Sequence, residues 1–501
     1  MHKKNPAKCF LNGKLQKLCY TEYMEKQNHA LHLNEMFRQQ AEKYPDLTAI
    51  RYQEPAGTGE ITCVTYRQLY DDIRKRAAAI VKNADEADSI QAGRNGEDKV
   101  PAGGSGEDRT SAGTPTEAII VDGSYASVVE IFAANAAGLT VVMMEPLADP
   151  TLMKKRLAST DANRLWTWGS VQDISSDPQV GKKNRILFFT SGTTESARAV
   201  MLTGDSLLAS AYNGTADLPL STEDTLLCIL PLYHVFGFVC GLMWGLVNGA
   251  CVALGRGERH MMDDLTFFRP TVVSLVPVLF EFLLKKNLFN DGLKTILIGA
   301  GGCPKESIEM AQHRGIRVCF GYGLTETSSG VAISVGGDPY AMNVCVEDRV
   351  TITEDGEILV ESPACMMEGY YRNPEATAAV LKDGVLHTGD IGFIDSGGKL
   401  HITGRIKDIL VLPDGTKIFL PEYEAILSRA LPDLQIACGE ENGEVILYYY
   451  GNMSENEVER VLHGLMGLMP RGHQVRRIVR RRDPIPRNAA GKIVRSRLAE
   501  V

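Results

Sequence analysis

Residues 118–146 read AIIVDGSYASVVEIFAANAAGLTVVMMEP. Two short apolar runs bracket a longer segment, with turn-forming residues between them, so the stretch reads as strand, helix, strand. The same rhythm recurs as far as Leu297. Repeated units of this kind build parallel sheets covered by helices. Upstream, residues 33–52, LNEMFRQQAEKYPDLTAIRY, alternate like an amphipathic helix running into a strand. Residues 61–81, ITCVTYRQLYDDIRKRAAAIV, repeat the scheme as strand and then helix. Residues 85–115 are poor in apolar side chains and rich in Gly, Ser and charge, and are expected to form an exposed, mobile insertion.

After Gly330 the texture changes. RVTITEDGEILVES at 349–362 and IGFIDSGGKLHITG at 391–404 read as hairpins with Asp-Gly and Ser-Gly-Gly turns. GRIKDILVLPDGTKIFLPEYEAILSRAL, from Gly404, begins a smaller α+β unit. The expected fold class is therefore α/β. A large N-terminal domain carries parallel-rich sheets, flanking helices and a distorted β-barrel-like part, and a small mobile α+β domain follows. The expected boundaries are an extension over 1–30, a main domain over 31–404 and a C-terminal domain over 405–501.

The chain has 501 residues, of which 44% are hydrophobic and 23% charged, the balance of a globular protein long enough for two or three cores. A net charge of −9 argues against a dedicated nucleic-acid binder. The 11 cysteines are scattered with no Cys-x-x-Cys pair, which excludes the usual zinc and dithiol spacings and points to reduced thiols in a cytoplasm. The opening MHKKNPAKCF is basic without an apolar run, so no secretory signal is expected. Leu226 to Leu254 contains no formally charged residue and is long enough to span a bilayer. Pro231, His234 and four glycines, the last in the turn pair Asn248-Gly249, break it, so strand, loop, helix and second strand are expected instead.

Residues 190–200 read TSGTTESARAV and follow a buried strand at 186–189. Four hydroxyls and a glycine in five residues, Thr190, Ser191, Gly192, Thr193 and Thr194, can wrap polyphosphate oxygens with backbone N–H groups and side-chain donors. The same composition also makes an ordinary turn. This loop is not a Walker A motif. Other motifs follow in order: PLYHVFG at 231, GYGLTET at 321, GYYRNPEATAAVL at 369, LHTGDIG at 386, GRIKD at 404 and PRNAAGK at 486. Together they resemble the acyl-adenylate-forming superfamily, closest to bacterial acyl-CoA synthetases, over roughly residues 31–495.

The resemblance implies ATP, Mg²⁺ and coenzyme A as reactants, with a small carboxylic acid as the second substrate. A carboxylate attacks the α-phosphate to give acyl-AMP and pyrophosphate, and a thiol then displaces AMP. Such chemistry needs charge neutralisation and alignment more than covalent work by the protein. By motif match, Tyr322 and Gly323 border the adenine, Thr325 meets the α-phosphate and Glu326 binds Mg²⁺. An aromatic plane suits a base and a carboxylate suits a hard cation. Gly299, Ala300, Gly301 and Gly302 are small enough for a purine to lie against their backbone. The resemblance further places Asp390 on the ribose hydroxyls, Arg405 on ribose or phosphate, and His234 beside the acyl carboxylate. It implies that Lys492 reaches the α-phosphate from the small domain. It marks Lys407 as the hinge and Gly415 as the border of a thiol tunnel.

Three departures from the family pattern stand out. The phosphate loop continues Glu195, Ser196, Ala197, Arg198, Ala199, so glycine is lost twice and an arginine stands for the lysine. Arginine keeps the charge and can fork onto two phosphate oxygens. Phe320 replaces a polar residue near the adenine, and Ser334 to Glu347 is compact. Amino-acid-activating members of the family that the chain resembles tend to carry Phe-Asp here. Val235-Phe236 after His234, with no acid before Glu258, therefore disfavours an amino-acid substrate and favours a fatty or aryl acid. Gly237, Gly241 and Gly245 either leave room for an apolar chain or serve close packing. Residues 471–497 hold ten Lys or Arg and one Asp, a patch that suits the phosphates of coenzyme A or an acidic acyl-carrier protein, or that is simply a solvated face. Ligation to coenzyme A is the first expectation. Loading of a separate carrier protein and a catalytically impaired nucleotide- or acyl-binding homologue are the alternatives.

Overall fold

The computed structural model of the chain describes residues 32–53, 60–94, 116–146, 149–167, 169–173, 185–190, 198–411, 417–441, 444–466, 474–487 and 493–500. They form two compact units. The first comprises the described residues up to Thr190, Arg198–Val350 and Val360–Leu386; the second takes Thr351–Leu359 and the described residues from His387 onward. The expected extension over 1–30 lies outside the described residues. The helix Tyr66–Arg94 absorbs the first ten residues of the expected insertion, and 95–115 lie outside the described residues.

The first unit holds two sheets. In one, six parallel strands run in the order Arg317–Leu324, Thr295–Ile298, Val272–Leu275, Thr225–Cys228, Cys251–Leu254 and Thr48–Gln53. Antiparallel strands close both edges: Ile61–Thr65 on one side, Ser329–Ile333 and Asn343–Val344 on the other. The central strands are near-continuous apolar runs such as TILI, buried at every residue, as strands covered on both faces must be. The other sheet has Thr116–Ile120 between Thr140–Met144 and Arg164–Thr167, with Arg185–Phe189 next to Thr140–Met144, all parallel. The helix Tyr125–Ala136 connects the first two, so the opening stretch folds as its pattern predicts.

Residues 226–254 fold as the polar breaks require. The strand Thr225–Cys228 is followed by a helical run over Val235–Val247 and the strand Cys251–Leu254. Among the described residues no helix is long and apolar enough to cross a membrane. The helical run widens into a π turn at Val239–Met243, where Ser274 Oγ donates to the Cys240 carbonyl at 2.8 Å. The three glycines of this run are packing positions. A Cβ on Gly237 would stand 2.3 Å from the Pro231 carbonyl oxygen, and one on Gly245 would stand 2.5 Å from Val252 Cγ2. At Gly241 it would meet Cys228 Sγ at 3.2 Å. The space beside Gly237 is filled by the Pro231 backbone, and that beside Gly241 and Gly245 by the strands.

In the second unit, the strands Gln435–Glu441 and Glu444–Tyr450 are antiparallel and Val475–Arg480 joins the latter in parallel. The helices Leu420–Ala430 and Glu455–Met466 contribute Leu427, Val458 and Leu462 to a core with Leu447 and Tyr449. Two arginines of the basic tail take part in this architecture. Arg481, buried, donates to the Arg497 carbonyl at 3.2 Å. Arg495 donates to Glu424 at 2.6 Å, to Asp408 at 3.0 Å and to the Cys438 carbonyl at 2.8 Å. Removing one partner of a buried, hydrogen-bonded ion pair strands the other charge, at a cost of about 3 kcal/mol or more. Arg495→Ala is therefore expected to lower the stability of the second unit by about 3 kcal/mol, and Arg495→Lys to recover only part of it. Urea unfolding followed by the hydrogen exchange of the Leu447 and Tyr449 amides measures this directly.

Candidate functional site

The loop that drew attention in the sequence joins two antiparallel neighbours. Arg185–Phe189 pairs with Ala199–Thr203 through Phe189↔Ala199 to Arg185↔Thr203. Thr190 and Arg198 close its neck: Thr190 N donates to the Arg198 carbonyl at 2.9 Å, and Arg198 N donates to Thr190 Oγ1 at 3.1 Å. Ser191, Gly192, Thr193, Thr194 and Glu195 lie outside the described residues. Thr203 then caps the helix Gly204–Asp217, accepting from Ser206 N at 2.9 Å.

Ala199–Thr203 has a second partner, the short strand Gly369–Tyr370. Here the motif GYYRNPEATAAVL becomes legible as construction. Asn373 caps the helix Pro374–Val380, with Pro374 in the first turn, and Thr377 Oγ1 turns back to accept from Tyr370 N at 2.9 Å. Tyr370 is thereby held with only 5% exposure. Its ring lies beneath the Arg198 guanidinium, 4.9 Å from carbon to ring centroid, and its hydroxyl donates to Glu326 Oε1 at 2.7 Å. Burial, then the Glu326 charge, push the Tyr370 phenol well above its usual range, so it stays protonated and remains a donor.

Glu326 is carried by a sharp reversal. The strand Arg317–Leu324 turns through Thr325–Thr327 into Ser329–Ile333. Gly323 is obligatory there, because a Cβ would fall 1.5 Å from the Ser329 carbonyl oxygen. Ser328 and Ser329 take φ of 53° and 112° to complete the reversal. Ser328 Oγ donates to the Cys365 carbonyl at 2.7 Å, and Met367 N donates to the Glu326 carbonyl at 2.8 Å. Tyr322, Thr325 and Glu326 are half-buried on this reversal. Sequence reasoning named Arg198 and Glu326 separately and missed Tyr370, which connects them.

Gly299–Gly302 follow the strand Thr295–Ile298, as expected. A Cβ on Gly299 would meet the Phe236 ring at 2.6 Å, so this glycine lets the chain cross an aromatic face. Ala300 adopts φ 65°, and Ala300, Gly301 and Gly302 are exposed. Phe320 is buried and its ring packs 5.4 Å from that of Tyr340. His234 sits one residue before the helix Val235–Phe238, against Tyr233 at 4.8 Å between ring centroids. Burial holds its pKa below the ordinary 6.5; Glu145 pulls it back up and Arg156 adds to the lowering. The ring is therefore neutral at pH 7. Glu145 and Arg156 pair with each other at 2.8 Å. The Cys228 and Cys240 thiols are pushed up by burial, to about 12 and about 11, and are poor nucleophiles.

In the second unit, Asp390 and Arg405 are direct partners across a hairpin, Val385–Ile394 with Leu400–Arg405. Arg405 Nε donates to Asp390 Oδ1 at 2.8 Å, with the carboxylate buried and the guanidinium half exposed. Gly389 N donates to Glu357 Oε1 at 3.0 Å and fixes the approach to Asp390. Lys407 lies in the turn Ile406–Asp408, whose Asp408 is the partner of Arg495. Gly415 and Lys492 lie outside the described residues.

Comparison with known proteins supplies an independent view. Residues 171–371 match the family described as AMP-binding enzyme. A 2-succinylbenzoate–CoA ligase of Listeria monocytogenes is 28% identical over 390 residues, spanning 73% of this chain and 79% of the relative. A Mycobacterium tuberculosis 3-[(3aS,4S,7aS)-7a-methyl-1,5-dioxo-octahydro-1H-inden-4-yl]propanoyl:CoA ligase is 29% identical over 341 residues, 63% of this chain and 66% of the relative. In the solved structure of O-succinylbenzoate coenzyme A synthetase from Bacillus subtilis with ATP and magnesium, the fold is shared at a TM-score of 0.73 and 20% identity. That match covers 92% of this chain and 98% of the other.

The environment of His234 makes a pH prediction with a definite sign. Its folded pKa lies below the unfolded value, so the unfolded chain takes up the proton first as pH falls. Above the ordinary value of 6.5 the group is neutral in both states and has no effect; below it, stability is lost until the folded ring also protonates. His234→Gln is expected to lose less Tm than the parent between about pH 7.5 and about pH 5.5, measured by calorimetry.

Proposed function

We propose, on the premise that residues 171–371 belong to the AMP-binding enzyme family, that this chain is an AMP-forming acid–thiol ligase that makes acyl-coenzyme A. A carboxylate oxygen attacks the α-phosphorus of ATP, the α–β bridging bond breaks and pyrophosphate leaves. The thiolate of coenzyme A then attacks the acyl carbon and expels AMP. The observation that carries this reading is the convergence of a loop cation, a buried phenol and a reversal carboxylate, Arg198, Tyr370 and Glu326, from three of the ordered motifs.

The donors fit a magnesium ion that arrives with ATP. Among the described residues no three His, Cys, Asp or Glu side chains gather to hold a metal of their own. Glu326 offers a single hard carboxylate, which suits an octahedral ion that takes its other ligands from phosphate and water. The ion supplies charge neutralisation at the phosphates. Arg198 is assigned to the pyrophosphate oxygens, Thr325 to the α-phosphate, and Tyr322 with Gly299–Gly302 to the adenine. A neutral His234 beside the acyl carboxylate accepts or donates a hydrogen bond without adding charge. Asp390 and Arg405 for the ribose, Lys492 for the α-phosphate and Lys407 as hinge rest on the sequence match alone.

For the acid we favour a ring-bearing, largely apolar carboxylate over a straight fatty chain. The two relatives described above are named for acids that carry rings. The close-packed faces of Gly237, Gly241 and Gly245 offer no slot for a long chain along that helix. Coenzyme A is the preferred acceptor because both relatives are named as ligases to it.

An ATP–pyrophosphate exchange screen over aryl, alicyclic, medium-chain and long-chain acids tests the reading, with AMP and thioester formation followed with and without coenzyme A. Exchange with ring-bearing acids and thioester only with coenzyme A are expected. No exchange with any acid would overturn the ligase. Thioester formation on an acyl-carrier protein alone would overturn the acceptor. Arg198→Ala is expected to lower the exchange rate by about tenfold or more.

A further inference from the structure

The residues flanking Tyr370 are fastened more heavily than a two-residue strand needs. Glu368 N donates to the Met201 carbonyl at 2.9 Å and Tyr371 N to the Ala199 carbonyl at 2.7 Å, tying the segment to the strand that begins beside Arg198. Met367 N donates to the Glu326 carbonyl at 2.8 Å, tying the other end to the reversal. Beyond it, Tyr371 hydroxyl donates to Asp161 Oδ2 at 2.7 Å and Arg372 Nε reaches the same oxygen at 2.7 Å. Five attachments thus fix one ring between a guanidinium and a carboxylate.

A buried phenol needs an acceptor, and Glu326 provides one. The reverse dependence matters more for chemistry. A glutamate has three side-chain torsions, and in water its carboxylate samples many directions. A fixed donor at 2.7 Å on Oε1 narrows them and leaves the second oxygen to a cation. Hydrogen bonds of this kind to a ligating carboxylate orient it and tune its affinity. The ring of the same residue seats the Arg198 guanidinium, so cation and carboxylate are spaced by one rigid side chain instead of meeting as an ion pair. A direct Arg198–Glu326 pair would neutralise both groups before any nucleotide came. Tyr370 keeps them near each other and apart.

We propose that Tyr370 is a positioning residue for nucleotide activation: its hydroxyl orients Glu326 toward the Mg²⁺ of Mg–ATP, and its ring seats Arg198 for the phosphates. The inference rests on the ligase reading. It assigns a role to a residue that the motif reading left unused.

Tyr370→Phe is the discriminating variant, because the ring face under the Arg198 guanidinium persists while the hydroxyl, with its bonds to Glu326 and Arg198, is lost. Binding of ATP is measured by calorimetry on the full chain across a Mg²⁺ titration, alongside Tm. The Mg²⁺ concentration for half-maximal enhancement of ATP binding is expected to rise about tenfold, while metal-free ATP binding stays at the parent level. Arg198→Ala is expected to do the opposite, weakening ATP binding with and without Mg²⁺ and leaving the Mg²⁺ midpoint in place. Tyr370→Phe with an unchanged Mg²⁺ midpoint would overturn the positioning role, as would an equal loss of binding with and without Mg²⁺. A parent chain that binds no ATP at any Mg²⁺ concentration would instead overturn the ligase reading, and the inference with it.

Discussion

The first unit's site depends on one strand having two partners. Ala199–Thr203 pairs with Arg185–Phe189 on one edge and with Gly369–Tyr370 on the other. The first pairing fixes where the loop's cation leaves the sheet. The second delivers Tyr370 beneath that cation, and Met367 carries the same segment on to the backbone of Glu326. Backbone hydrogen bonds are short and directional, so residues separated by more than a hundred positions are held in register, with the Arg372–Asp161 and Arg185–Glu368 ion pairs as further ties. The charged groups inherit this order and do not have to create it.

Much of the fold was legible because burial on two faces leaves an unmistakable pattern. Short runs such as TILI at 295–298 and VVSL at 272–275, rich in β-branched residues and bounded by Gly or Pro nearby, read as buried strands and not as helix. The uncharged stretch from Leu226 was also readable, since Pro231 and Asn248-Gly249 interrupt any single long helix. Its π turn was not, because the extra residue leaves no compositional mark. The glycines were ambiguous for a physical reason: a missing Cβ reads the same whether a substrate or a neighbouring strand takes the space, and only the distances to Pro231 and Val252 decide.

For the site, single residues with distinctive chemistry were easy to find and their partners were not. Glu326 and Arg198 stand out in sequence; Tyr370 sits in a motif whose Asn373, Pro374 and Thr377 explain themselves as helix-start chemistry, and the tyrosine hides among them. Asp390 and Arg405 were assigned to a ligand one by one, yet they face each other across a hairpin, a register no one-dimensional reading gives. The basic tail was read as a charge patch for anionic partners or as a solvated face, whereas Arg481 and Arg495 make hydrogen bonds inside the second unit. A guanidinium has the same signature in sequence whether its five N–H groups face carbonyls or water.

The widened turn at Val239–Met243 carries a consequence for the winding of its helix. Glycines spaced four apart drift by about 40° per step on a regular α-helix, so Gly237, Gly241 and Gly245 would spiral away from one line of contact. A turn that takes more residues winds the other way and cancels part of that drift. The stripe stays in phase with the strands Thr225–Cys228 and Cys251–Leu254, which Gly241 and Gly245 touch. The helix thus carries one extra residue without losing that phase. Excising one residue there would let the turn relax to a regular α-helix, about 20° short of two full turns from Gly237 to Gly245, and leave Gly245 facing Val252.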